Sequence, residues 1–248
     1  MLSIDANIPV GQLLAQNPHW SSIFDKYRID YCCGGKISLS EACLSKKLDL
    51  TTLIQELLGS KTIETSNIKA DLVSISIKEV IEHIVKTYHK PLQEDLPYLL
   101  KLSNKVVQVH QVNHPELVKL DVIVKRFCID LQTHMQKEEQ VLFPMCIQLE
   151  SAKSLPSFHC GSVKNPIAMM MSEHDTAGQD LALIRELTLN FTLPDDACNS
   201  YCLLYNKLAQ IEQDLRHHVH IENNILFPRV TILETKLAEL LLISNSNK

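Results

Sequence analysis

Two short stretches of the chain carry the same chemistry in the same order. His134-Met135-Gln136-Lys137-Glu138-Glu139-Gln140-Val141-Leu142-Phe143-Pro144 returns about 84 residues later as His218-Val219-His220-Ile221-Glu222-Asn223-Asn224-Ile225-Leu226-Phe227-Pro228. In each copy a glutamate follows a histidine by four residues, and Leu-Phe-Pro closes the segment. A repeat at fixed spacing marks a structural unit used twice. A lone histidine precedes each copy by nearly the same interval: His89 before the first, His174 before the second. Imidazole with carboxylate suits iron, and also manganese or zinc, with no need for thiolate. Six such ligands could serve one octahedral ion or two ions that share the carboxylates. We read two, favouring iron, with an oxo or hydroxo bridge and an open position.

Four long helices must position these side chains. The first is predicted to begin at Ser76, where Ser76-Ile77-Lys78-Glu79 fits a capping box, and to kink just after His89 because of Pro91. The second is expected from Pro115 to about Leu149. The third opens at Asn165-Pro166, with Asn165 as its cap and Pro166 at the first helical position. The fourth covers roughly Cys198 to Leu241, with a break at Pro228, and Ser151 to Lys164 reads as a loop. At ~100° per residue, His134 and Glu138 share the apolar stripe of Leu117, Leu120, Val124, Phe127 and Leu131. His218 and Glu222 share that of Leu204, Leu208, Ile211 and Leu215, and His174 lies among Met170, Ala177 and Leu181. His89 falls on the flank of its stripe. A glutamate on a core face is costly unless something pairs with it. One His-x-x-x-Glu pair alone could be a solvated helix pair; two in register ask for a shared partner, and a metal supplies one. His110 is kept as a residue that could support a ligand from behind. His19, His83, His114, His159, His217 and His220 are assigned to surface or structural roles.

Ahead of these helices, residues 1–65 read as a small helical domain. Val10, Leu13, Leu14, Ile23, Phe24 and Tyr27 suggest two short helices around Pro18. Leu48 to Leu58 suggest a third, ending at Gly59, and Lys61 to Asp71 reads as a linker. Between them lies Asp30-Tyr31-Cys32-Cys33-Gly34-Gly35. Its glycines permit positive φ and close backbone approach, which would let two adjacent thiols protrude from a tight turn. Adjacent cysteines do not easily reach relaxed disulfide geometry, so the pair reads as thiols that meet a metal, an oxidant or a partner.

Composition narrows the class. Glycine is scarce and aromatics make up 5% of the chain, which favours helix over a turn-rich sheet. The formal charge of -5 with no basic run argues against nucleic acid. No apolar run is long enough to span a membrane, and the first residues lack a secretory pattern, so the eight cysteines are expected as reduced thiols in the cytoplasm.

These motifs together resemble the iron–sulfur cluster repair di-iron proteins, which carry a hemerythrin-like domain. The resemblance rests on the Cys32-Cys33-Gly34-Gly35 segment, the two repeats, and Ser172-Glu173-His174-Asp175-x-Ala177-Gly178. It implies an all-α fold: a small N-terminal helical domain, then an up-down four-helix bundle over residues 76–241. It implies that His89, His134, His174 and His218 are terminal iron ligands and that Glu138 and Glu222 bridge the irons. Cys32 and Cys33 would be the family's thiol pair. The function implied is repair of iron–sulfur clusters damaged by nitric oxide or oxidants, by iron donation, with damaged iron–sulfur proteins as partners. The alternatives are oxygen or nitric-oxide binding and sensing, or nitric-oxide reduction. A monomer or a homodimer is expected. The loop of Ser151 to Lys164 matches no family motif.

Overall fold

The computed structural model describes residues 4–60 and 72–246. The linker expected at Lys61 to Asp71 lies outside the described residues. The fold is all-α: among the described residues there is no strand, only isolated bridges at Pro9–Ser38 and Phe158–Gly161.

Four short helices come first: α1 (Val10–Gln16), α2 (Ser21–Lys26), α3 (Leu39–Lys46) and α4 (Leu50–Gly59). The sequence reading missed α3. Its signal was present as Ser38-Leu39-Ser40-Glu41, a capping box that forms in full: Ser38 Oγ accepts from Glu41 N, and Ser38 N donates to the Glu41 carboxylate. Asp49 caps α4 in the same way, accepting from Thr52 N at 2.7 Å.

The bundle follows. Its first helix is α5 (Ile77–Ile84) and α6 (Lys90–His110), joined through one π turn at Val85–His89. The second is α7 (Glu116–Lys137) and α8 (Phe143–Ser151), joined at Glu138–Leu142. The third is α9 (Lys164–Leu187), and the fourth is α10 (Asn199–Ile221) and α11 (Phe227–Ser246), joined at Glu222–Leu226. The connections at 111–115, 152–163 and 188–198 are short for helices of this length, so successive helices run antiparallel. α6 packs on α7 and α10, and α7 on α9. The Ser76–Glu79 capping box forms as expected.

Two expectations are corrected. Asn165 does not cap α9; its side chain donates to the Cys160 carbonyl, and the helix begins at Lys164. Its first amides are held instead by Glu234, which accepts from Val163 N at 2.8 Å, and by Ser162 Oγ, which accepts from Lys164 N. Nor does Pro228 break its helix: the chain stays helical through it, as it does through Pro91. Each lies two residues past the end of a π turn, as Pro144 does. A proline ring crowds the carbonyl four residues back and offers no N–H. The chain absorbs this by widening one turn: Lys90, Phe143 and Phe227 each donate five residues back, to Val85, Glu138 and Glu222.

The apolar interior forms two clusters. One runs from Val10, Phe24, Tyr31 and Leu53 of the N-terminal helices into Leu131, Leu208 and Leu215 of the bundle. The other gathers Ile84, Leu142, Cys146, Ile167, Leu226 and Val230 at the opposite end. Two of the π turns contribute Leu142 and Leu226 to this second cluster.

Candidate metal centre

Three of the six ligand-type side chains, His89, Glu138 and Glu222, sit in the π turns; His134 and His218 lie one turn ahead of their glutamates, and His174 lies on α9. An extra residue in a turn rotates everything after it by about 100° relative to a regular helix. His89, placed on the stripe's flank by a regular helix, is thereby fully buried. His134, Glu138, His174, His218 and Glu222 are buried with it, so all six residues singled out by the repeat converge.

They form two groups of four donors that share both carboxylates: His89, His218, Glu138 and Glu222, and His134, His174, Glu138 and Glu222. The glutamates straddle the two groups. Glu138 turns Oε2 toward His89 Nε2 (3.5 Å) and Oε1 toward His134 Nε2 (3.4 Å). Glu222 turns Oε1 toward His218 Nε2 (2.9 Å) and Oε2 toward His174 Nε2 (3.1 Å). Within each group the two imidazoles meet Nε2 to Nε2 at 3.0 Å.

The far side of the rings fixes which nitrogen bears hydrogen. His89 Nδ1 donates to Glu139 at 2.8 Å, His134 Nδ1 to Glu173 at 2.9 Å, and His174 Nδ1 to Asn223 Oδ1 at 3.1 Å. Their Nε2 lone pairs then face inward, and a proton or a cation must lie between each facing pair. The carboxylates decide for the cation. Both oxygens of Glu138 and Oε2 of Glu222 are buried with no hydrogen-bond donor. Such groups are costly to bury unless a cation satisfies them. Two donors ~2.1 Å from a metal and at right angles stand ~3.0 Å apart, which is the observed imidazole separation. The residues therefore fit metal ions, and carboxylate–imidazole donors suit iron, manganese or zinc.

Burial and the two carboxylates pull the imidazoles of the cluster in opposite directions. Burial works against charge on His134, but Glu138 and Glu222 outweigh it and lift the imidazole to about 9. His89 is raised in the same way against burial, while at His218 burial wins and lowers it. Burial pushes Glu222 upward, yet His218 and His174 hold it well below the usual carboxylate range.

Several residues that complete the site were not singled out by the sequence reading. Glu139 and Glu173 back two imidazoles, with Gln93 and Lys137 donating to those carboxylates. Phe143 stacks on His89 and Phe227 on His174, each phenylalanine coming from the copy of the repeat that its histidine precedes. Tyr88 stacks on His218. The doubled Leu-Phe-Pro was the available signal. His110 is not at the site; its Nε2 lies 3.1 Å from Cys198 Sγ near the far end of the bundle. A cavity of about 190 Å³ reaches His134 and His174 past Phe127, Lys137 and Glu173.

The cysteine turn lies against this centre. Asp30 organises it by accepting from Cys32 N (3.0 Å) and Gly34 N (2.9 Å). The expectation of positive φ and protruding thiols is corrected. Neither Gly34 nor Gly35 has positive φ. Glycine is needed for close approach: a Cβ on Gly35 would meet the Tyr31 carbonyl oxygen at 2.5 Å. Cys32 is 9% exposed, and Cys33 directs its thiol at the His174 carbonyl, 3.6 Å away. Tyr31 pins the turn to α10. Its carbonyl accepts from Asn224 Nδ2 and faces His220 Nδ1, and Arg216 donates to the Ile29 carbonyl at 2.8 Å. His220 is buried in this junction rather than bound to the centre, in keeping with a structural role.

Known proteins match this arrangement along nearly the whole chain. Residues 80–230 match the hemerythrin HHE cation binding domain, and residues 6–61 match ScdA_N, described as a domain of unknown function. The iron–sulfur cluster repair protein YtfE of Escherichia coli O8 (strain IAI1) is 39% identical over 222 residues, covering 89% of this chain and 95% of that protein. The chain belongs to the hemerythrin-domain iron–sulfur cluster repair family. Proteins of the same name from Shigella boydii serotype 4 and Enterobacter sp. (strain 638) are 38% and 37% identical over 222 and 221 residues, with the same coverage. Membership agrees with a buried cation site built from histidine and glutamate. Among the described residues no helix is long and apolar enough to cross a membrane.

Proposed function

We propose that this protein repairs iron–sulfur clusters damaged by nitric oxide or oxidative stress, and that it does so by donating iron held at His89, His134, Glu138, His174, His218 and Glu222. The observation that carries the reading is the pair of donor groups sharing both buried carboxylates. Two iron ions fit it, each with two terminal imidazoles and the two shared glutamates, oxo- or hydroxo-bridged. Bound there, iron supplies a redox-active cation available to an iron-poor cluster. The donor set allows release as well as binding, because each ion has only four protein donors and protons compete with metal for imidazole. Cys32 and Cys33 take part as thiols that receive or pass on iron or electrons at the bundle's edge. The clients are damaged iron–sulfur proteins, and the setting is the cytoplasm, with the protein acting as a monomer or homodimer.

Iron per chain and the near-ultraviolet spectrum are measured on anaerobically loaded protein, together with recovery of a nitric-oxide-treated [4Fe–4S] dehydratase. About two irons, oxo-bridge absorption and recovery, all lost in Glu138→Ala with Glu222→Ala, are expected. Failure of the wild type to bind iron would overturn the reading. A second reading, binding or reduction of nitric oxide or oxygen, draws support from the cavity that reaches His134 and His174. It predicts reversible gas binding or turnover with no iron leaving the protein.

A further inference from the structure

One side chain touches both the candidate metal centre and the cysteine turn. Asn223 follows Glu222 in the π turn, and its two amide ends face different parts of the molecule. Oδ1 accepts from His174 Nδ1 at 3.1 Å. Nδ2 donates to the Cys32 carbonyl at 3.4 Å. The orientation is not interchangeable. His174 must carry its hydrogen on Nδ1 to leave Nε2 free toward Glu222 and His134, so the amide oxygen faces the ring and the amide nitrogen is left for the cysteine backbone. Cys33 closes the loop from the other side, its thiol donating to the main-chain carbonyl of His174. The turn is thus tied to His174 twice, once through its ring and once through its backbone.

The other three imidazoles have no such link. His89 and His134 are backed by Glu139 and Glu173, and His218 Nδ1 is buried with no hydrogen-bond partner among the described residues. Asn224, the next residue, also binds the N-terminal segment, but through Tyr31 and His220 rather than a candidate ligand.

We propose that Asn223 is the positioning residue that couples metal occupancy at His174 to the order and reactivity of the Cys32–Cys33 turn. The inference rests on the metal reading above. A cation on Nε2 withdraws density from the ring and strengthens the Nδ1–H bond to Asn223 Oδ1. That holds the amide still and keeps Nδ2 on the Cys32 carbonyl. Loss of the cation loosens the ring, then the amide, then the turn, so the thiols become accessible when the centre has given up its metal. Coupling between two equilibria is reciprocal, so a change that favours the open turn must also weaken metal binding.

The test uses the full chain and measures two quantities. One is the rate of Cys33 carbamidomethylation by iodoacetamide, followed by peptide mass. The other is the Fe(II) dissociation constant by anaerobic chelator competition. In wild type, Fe(II) loading is expected to slow Cys33 modification by about fivefold, the low end of couplings between protein sites. Asn223→Asp keeps an acceptor for His174 but turns a carboxylate oxygen on the Cys32 carbonyl. It should bind Fe(II) within about threefold of wild type while the protection by metal falls to less than about twofold. Asn224→Ala should raise Cys33 reactivity with and without metal alike, leaving the protection ratio intact, because it loosens docking without touching His174. A wild-type protein that binds Fe(II) while showing the same Cys33 rate with and without it overturns the coupling alone. So does an Asn223→Asp variant that keeps the wild-type protection ratio. A wild type that takes up no Fe(II) overturns the metal reading and the coupling together.

Discussion

The sharing of both carboxylates makes substitutions at the centre unequal, and that inequality can be measured. Glu138 offers one oxygen to each donor group, whereas His89 and His174 each belong to one group. Glu138→Gln keeps the shape and removes the charge. Loss of a supporting residue behind a ligand already costs 10- to 100-fold in affinity, so loss of a direct carboxylate donor should cost at least about 100-fold at each ion. That is about 2.7 kcal/mol per ion, and about 5.5 kcal/mol for two. His174→Gln should cost about half as much and leave one tightly held ion at His89 and His218. Metal-linked stability follows the same pattern: a ligand at 100 times its dissociation constant adds about 2.7 kcal/mol. At roughly 2–4 °C per kcal/mol for a chain of this size, loading with Fe(II) should raise the melting temperature of wild type by about 11–22 °C. His174→Gln should show about half that rise and Glu138→Gln almost none. Anaerobic thermal melts with Fe(II) and with chelator, beside iron analysis after gel filtration, check all three proteins. If Glu138→Gln retained one ion and half the rise, Glu138 would be terminal to a single ion and the shared-carboxylate geometry would be wrong.

Further outcomes follow from other parts of the fold. Pro144→Ala or Pro228→Ala removes the ring that crowds the preceding turn and restores an N–H; the π turn should relax toward regular helix, rotate its glutamate away, and weaken Fe(II) binding at both ions while leaving far-ultraviolet helicity unchanged. Gly35→Ala forces a Cβ against the Tyr31 carbonyl and should cost about 1–3 kcal/mol by urea unfolding, with faster alkylation of Cys33. Arg216→Ala removes the donor to the Ile29 carbonyl and one partner of Asp25, which keeps the Tyr31 hydroxyl, and should cost about 1–3 kcal/mol in the same assay. Burial pushes the Cys128 thiol up to about 12 from an unfolded value of 9.0. A thiol whose folded pKa is raised keeps its proton where the unfolded chain has lost it, so stability is intact below pH 9 and declines by about 1.4 kcal/mol per pH unit between pH 9 and 12. Cys128→Ala should make that alkaline limb shallower in urea melts, leaving the part due to other buried thiols such as Cys146.

The six candidate ligands were legible in the sequence because a buried glutamate is expensive and a doubled one needs a common cause. The repeat register and the helical phase of Glu138 and Glu222 pointed at the same positions independently. The all-α class was legible from apolar stripes at helical spacing, and the capping box at Ser76 from the reach of a serine and a glutamate three residues apart. What the sequence could not settle were matters of angle and long-range contact. A regular helix puts His89 on a flank; only the π turn ahead of Pro91 brings it into the core, and a π turn has no spacing rule of its own. The cap of α9 is Glu234, some seventy residues away, because packing against α11 placed a carboxylate nearer than Asn165 could reach. The Cys33 thiol proved to be turned onto the His174 carbonyl and the Cys32 thiol onto Asp30, since Tyr31, Arg216 and Asn224 dock the turn onto α10. Local pattern determined which residues are able to bind a cation and which segments are helical. Tertiary packing decided which oxygen meets which imidazole, and that the thiol turn rests against one of the four buried histidines, His174.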